Sequence, residues 1–289
     1  DLFTGRARTA QSQPWGLFAN FVGTLGSQDT TSRQTGYTYA TVGFTSGIDY
    51  RFRPDLILGF GTGYYHTDSS FKNDRGDATV NSIPFYVYGL YHPGNFYLTG
   101  SVGYTLNLYD LKRSVAFGAI QRTAASSFTG NQLNMAWESG YDLKLSGLRF
   151  TPAANLFYTK VWLPAYTETG ASALDLRVGA QTADSVQTGL GARLAYPWKS
   201  GQTRITPEFS AFYQHEFANS SRNLNARLSQ SGGAFTFQTN DPARNFAVLG
   251  ASLVVQCRDN LFLQASYNAE VGRQHTTAHY LNAGLRWQF

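Results

Sequence analysis

The sequence predicts an all-β chain, a transmembrane antiparallel β-barrel of about twelve strands of the outer-membrane type. Three observations predict it. Segments with a side-chain period of two recur along the whole chain, apolar on one face and polar on the other. Short and long polar connections alternate between them. Charged residues are only 14% while aromatics reach 15%, and no window holds the roughly 18 to 20 uninterrupted apolar residues of a spanning helix. A barrel hides its membrane signal because half of each strand faces a polar lumen.

The alternation is clearest in the last ten residues. Leu281, Ala283, Leu285, Trp287 and Phe289 share one face, and Tyr280, Asn282, Gly284, Arg286 and Gln288 the other. Earlier segments repeat it: Val42, Phe44, Ser46, Ile48, Tyr50 and Phe52 oppose Gly43, Thr45, Gly47, Asp49 and Arg51, and Met135, Trp137, Ser139, Tyr141 and Leu143 oppose Asn134, Ala136, Glu138, Gly140 and Asp142. Ile57 to Phe60 and Ile83 to Leu90 are less clean, with apolar residues on both faces.

Short connections are read at Arg53-Pro54-Asp55, His92 to Asn95, Ser146-Gly147, Trp198 to Gly201 and Arg258 to Asn260, where Pro, Gly, Asn and Asp suit tight reversals. Longer polar stretches at Ser27 to Gly36, Thr67 to Thr79, Asp110 to Ser127, Thr167 to Asp184, Ala218 to Arg244 and Arg273 to Ala278 are expected to be external loops. Both ends of the barrel then lie on the periplasmic side. Residues 15–289 are expected to form the barrel, and residues 1–14, polar and carrying Arg6 and Arg8, a linker that is lumenal or periplasmic. No signal peptide stands at Asp1, so a processed or engineered start is expected.

The polar faces carry ionisable groups, Asp49, Arg51, Glu138, Asp142, Arg193, Glu208, Glu270 and Arg286. A lone Arg or Lys facing lipid at mid-depth costs about 2 to 4 kcal/mol, so these eight are expected to line the lumen. They either hydrate and rigidify it or contact a polypeptide passing through. Glu270 and Arg286 fall on the last two strands, and a cross-strand or diagonal pair between them is expected. Alternate lumenal glycines at Gly59, Gly61 and Gly63 are expected to let the strand bend and an aromatic from a neighbour lie over the backbone.

Catalytic and metal chemistry finds little here. His66, Asp68 and Ser69 are close in sequence at the mouth of a predicted loop, but a nucleophilic triad needs spatial geometry that this proximity does not supply. His275 and His279 are four apart, in a predicted loop, without further ligands for a tetrahedral site. Gly59 to Gly63 precedes no helix and is not a phosphate loop. The single Cys257 forms no intrachain disulfide. No cofactor and no enzyme activity are expected. The net charge of +5 is dispersed, without the basic cluster of a nucleic-acid surface.

Several stretches, in their order, carry a resemblance: Leu58 to Asp68, Phe150-Thr151-Pro152 to Tyr158, Tyr166 to Ala171, Ser185 to Arg193, Thr206-Pro207, His215-Glu216-Phe217, Tyr267 to Gly272 and the terminal Gly284 to Phe289. Together they resemble the C-terminal translocator domain of autotransporters, the type V secretion proteins of Gram-negative bacteria, over roughly Trp15 to Phe289. The resemblance implies a twelve-stranded outer-membrane barrel inserted by the barrel assembly machinery, with Leu285, Trp287 and Phe289 in the assembly signal. It implies outer-membrane lipid as surroundings and an N-terminal passenger exported to the cell surface. A monomer is expected, with no nucleic-acid partner. Residues 1–14 read poorly as the lumenal helix usual in the family, and no linker-cleavage pair stands before Trp15, so no catalytic residue is carried over. The alternatives are a stand-alone outer-membrane porin or adhesive barrel, and a hydrolase dependent on His66 or Ser69.

Overall fold

A computed structural model describes residues 13–230 and 232–289. The expected linker lies outside the described residues up to residue 12. Among the described residues twelve long strands form a closed antiparallel barrel. They are β1 (Trp15–Gln28), β2 (Tyr37–Arg53), β3 (Leu56–Phe71), β4 (Gly76–Tyr91), β5 (Phe96–Phe117), β6 (Ile120–Tyr141), β7 (Leu148–Leu163), β8 (Gln181–Ala195), β9 (Thr203–Glu216), β10 (Asn245–Arg258), β11 (Leu261–Val271) and β12 (Thr276–Gln288). Each pairs with its neighbours in chain order. The ring closes where β12 pairs with β1, from Gly16 opposite Gln288 to Gln28 opposite Thr276. Closure leaves no sheet edge in lipid, so the backbone groups of the spanning strands are satisfied within the ring.

The expected alternation holds strand by strand. Phe21, Phe44, Leu190 and Phe209 are among the most exposed apolar side chains and stand on the outer face. Polar residues such as Asn20, Thr45, Asn107 and Gln264 are buried on the inner face. Trp15 packs edge-on against Tyr50, Tyr50 against Phe52, and Trp287 stacks on Phe289, forming an aromatic belt at the end where the short turns lie. Both chain ends meet there, with Trp15 and Phe289 exchanging backbone hydrogen bonds of 3.2 and 3.0 Å. The irregular apolarity of β3 and β4 has a local cause. Ile57 and Leu90 point inward and pack with Tyr97 into a small buried apolar cluster at the periplasmic floor of the lumen.

Three of the predicted long loops are corrected. Thr67 to Thr79 is not a loop: β3 and β4 stay paired from Thr67 opposite Val80 to Phe71 opposite Gly76. Asp110 to Ser127 is likewise a continuing ladder, closed by a tight turn between Phe117 and Ile120 with Gly118 at φ 55°. The connection at Arg273 to Ala278 is a short turn, since β12 already begins at Thr276. Polarity on the outward face marks where these hairpins leave lipid, not where their hydrogen-bond ladder ends.

The β7–β8 and β9–β10 connections fold into a cap. Tyr166–Thr167, Leu176–Val178, Asn223–Leu228 and Phe235–Gln238 pair in space as a four-stranded antiparallel sheet, separate from the barrel. A 3-10 turn at Ser172–Leu174 sits within it.

Candidate functional site

The inner wall is crossed by two charge networks at its periplasmic half. In the first, Arg193 of β8 forms a bidentate ion pair with Glu138 of β6. Its Nη1 donates to Glu138 Oε1 at 2.6 Å and to Tyr97 Oη at 2.8 Å, while Nη2 reaches Glu138 Oε2. Tyr97 of β5 donates to the same Glu138 oxygen at 2.7 Å. Arg193 Nε lies 3.5 Å from Glu208 of β9, which also accepts from Arg149 Nη2 of β7 at 3.3 Å. Five strands are joined by these groups. The second network is more deeply buried than the first. Arg286 of β12 binds Asp49 of β2 with two bonds of 2.6 Å, and Tyr88 of β4 donates to Asp49 at 2.6 Å. Two parallel N–H bonds from a guanidinium to a carboxylate fix both distance and plane.

The remaining predicted lumenal residues take separate positions. Asp142 is buried and accepts from Thr151 Oγ1 at 2.7 Å, with His92 Nε2 3.8 Å from its other oxygen. Arg51 is half-buried on the inner face, two residues beyond Asp49. Glu270 is not paired with Arg286, which corrects the expected contact. It accepts from Arg273 Nη1 at 3.0 Å and from Tyr280 Oη at 2.8 Å. Register is the reason: Phe262 of β11 stands opposite Arg286, and Glu270 lies eight residues further along the strand, at the other end of the barrel.

The expected fit of tyrosine over glycine is present. A Cβ on Gly59 would fall within the ring of Tyr88, one on Gly61 within that of Tyr86, and one on Gly140 within that of Tyr97. Tyr88 and Tyr97 are the hydroxyl donors of the two networks, so Gly59 and Gly140 make room for the rings that carry them. Gly63 does not conform: its Cβ would meet the backbone of Phe44 and Thr45. Above the networks lies a lumenal cavity of about 740 Å3, lined among others by Glu138, Arg193, Glu270, Phe157 and Asn282.

Sequence reasoning missed four charged residues at the external rim. Glu216 is fully buried at the end of β9, where it accepts the amides of Val186, Ala218 and Asn219 at 2.9 to 3.0 Å. Arg113, at the top of β5, donates to Glu168 from Nε at 2.9 Å and to the Leu174 carbonyl at 2.9 Å. Asp175 accepts the Ala171 amide at 2.7 Å within the β7–β8 loop, and the Arg113 bonds tie that loop to the wall. Val115 and Ala124 pack against Ala171 and Leu174 beside these bonds. Burial pushes the hydroxyl of Tyr166, in this cap, above its ordinary value, with the Glu168 carboxylate adding to the effect and Arg113 opposing it. The acidic residue after His215 was visible as a motif, but only folding turns its carboxylate toward three free amides.

The histidine candidates are also relocated. His66 and Asp68 lie on the outer face of β3, in strand and not in a loop, 3.2 Å apart. His66 Nδ1 bonds Asn81 at 2.8 Å. Ser69 is on the opposite face of the same strand, so the three do not meet as a triad. His275 occupies a turn and His279 the outer face of β12, where its ring stacks on Tyr267. No group of three or more metal-ligating side chains is found among the described residues.

The family profile "Autotransporter beta-domain" matches residues 17–268. The chain belongs to this family. It is an outer-membrane translocator barrel of a Gram-negative bacterium. Two extracellular serine proteases of Serratia marcescens are similar to it, the first 27% identical over 276 residues, 95% of this chain but 26% of that protein. Outer membrane protein B of Rickettsia prowazekii is 25% identical over 292 residues, 95% of this chain and 17% of its own length. The chain thus spans about a quarter or less of these relatives. The translocator domain of NalP from Neisseria meningitidis has the same fold, with a TM-score of 0.76 at 17% identity, covering 99% of this chain and 92% of that one. The β domain of Bordetella BrkA follows at 0.72 and 16%, covering 96% and 100%.

Proposed function

We propose that this translocator carries its passenger to the cell surface through the hydrated lumen and then anchors it. The observation that supports this most is the wall of paired charges around a polar cavity. Asp49, Arg51, Glu138, Asp142, Arg193, Glu208, Glu270 and Arg286 line the route. Ion pairs satisfied within the wall hold the lumen in shape and leave little uncompensated charge to trap a moving chain. Residues 1–14 act as the linker between passenger and barrel, and residues 15–289 as the barrel. The domain performs no bond chemistry of its own and works as a monomer.

The exposed terminal face of Leu285, Trp287 and Phe289 serves as the signal read by the barrel assembly machinery. All three point outward beside the β1–β12 closure, 41 to 45% exposed. Passenger folding outside the cell biases movement outward. A passenger variant unable to fold, yet exported at the full rate, would overturn that element of the mechanism.

The direct test follows the precursor in cells with an antibody to the barrel. A precursor much larger than the 31.9 kDa of this chain, shaved by external protease to a barrel-sized remnant, is expected. A product of barrel size from the start would instead favour a stand-alone porin.

A further inference from the structure

A second polar cavity, of about 300 Å3, opens at the external mouth of the barrel. Tyr37 and Tyr39 of β2, Arg273 of the β11–β12 turn, and Arg222 and Asp241 of the segment between β9 and β10 line it. Arg222, Arg273 and Tyr37 border this one cavity. The surroundings of the two guanidiniums differ. Arg273 is answered by Glu270 and lies over the Phe246 ring at 4.5 Å. Among the described residues the Arg222 guanidinium has one hydrogen-bond contact, from Nη1 to the Thr182 carbonyl at 3.5 Å. The Nε atoms of both are buried without a hydrogen-bond partner among the described residues. Asp241 is turned to the Ser221 amide at 2.8 Å. Two guanidinium side chains bordering one cavity together with two tyrosines are suited to an oxyanion.

We infer that this cavity is a binding site for a carboxylate-sized oxyanion, supplied by an acidic side chain of the exported chain as it leaves the barrel. The inference rests on the proposed route through the lumen, because the cavity is at the mouth of that route. A Glu or Asp side chain docks between Arg222 and Arg273, and the tyrosines border its backbone. The site holds the emerging chain at the rim without closing the lumen below.

The test uses the folded barrel in detergent micelles, its folding checked by heat-modifiable gel mobility. Hexaglutamate, hexaglutamine and sodium sulfate are titrated calorimetrically at about 0.15 M ionic strength, where long-range attraction is screened. Hexaglutamate is expected to bind about tenfold more tightly than hexaglutamine, equivalent to about 1.4 kcal/mol. Arg222→Gln should abolish that preference and Arg222→Lys keep part of it. Arg75→Gln, at the β3–β4 turn, should leave it unchanged. Equal affinity for the two peptides, or a preference that survives Arg222→Gln, would overturn the site. Binding of sulfate without the peptide would overturn its assignment to the exported chain. Surface display of the passenger, assayed separately by external protease, tests the lumenal route, so failure of either reading is distinguishable.

Discussion

Arg193 and Arg113 each grip a glutamate with two bonds, one deep in the wall and the other at the rim. Arg193 and Glu138 are 10% and 15% exposed, and their partners come from strands already fixed by backbone ladders. Arg113 is 37% exposed, and its partner Glu168 belongs to a connection with little ladder of its own. The same ion pair therefore does different work. In the wall it neutralises charges that the closed barrel has already buried. At the rim it helps determine where the β7–β8 connection lies. Both partners of the first pair are largely buried, which makes it costly to break singly, whereas in the second Glu168 is 8% exposed but Arg113 remains solvated, so its loss acts mainly on local order.

The largest effect is expected from breaking the wall. Arg193→Met should leave Glu138 and Glu208 buried with too little positive charge, a loss of about 3 to 5 kcal/mol. The midpoint of urea unfolding, followed by heat-modifiable mobility, measures it. Adding Glu138→Met should restore part of the stability, because two matched removals leave one fewer orphan charge. A double variant as unstable as the single one would show that the wall needs this pair itself and not merely charge balance. Next, Gly140→Val should push the Tyr97 ring off its seat and disturb its bonds to Glu138 and Arg193, at about 1 to 3 kcal/mol on the same assay.

At the rim, Arg113→Ala should cost about 1 kcal/mol after allowance for solvent screening. The barrel midpoint should hardly move, while protease cleavage between residues 166 and 178 and hydrogen exchange at the Leu176 amide should accelerate. A barrel-wide loss would erase the contrast between the two regions. The smallest change is expected from Lys72→Ala. Its pair with Asp29 at 3.2 Å is exposed on both sides, and removal should shift the midpoint by less than about 1 kcal/mol.

The alternation at Leu281 to Phe289 made the barrel and its lipid-facing side readable from the sequence. A period of two needs only local geometry and the opposing demands of lipid and water. The glycines at 59 and 61 were readable for a similar reason, because an absent side chain in a strand signals a close neighbour. Which charges meet was not readable. Arg286 bonds Asp49 and not Glu270 because that choice depends on inter-strand register and on ring closure, which brings β12 beside β1 and within reach of β2. Nor was the height at which the hairpins end, since polar alternation continues smoothly from lumen wall to external ladder at Thr67 to Thr79. The cap over the rim, and the buried carboxylate of Glu216 within reach of three amides, required the folded chain. Side-chain facing is set residue by residue along a strand, but pairing across the lumen joins residues as far apart as Asp49 and Arg286, and only tertiary structure sets that distance.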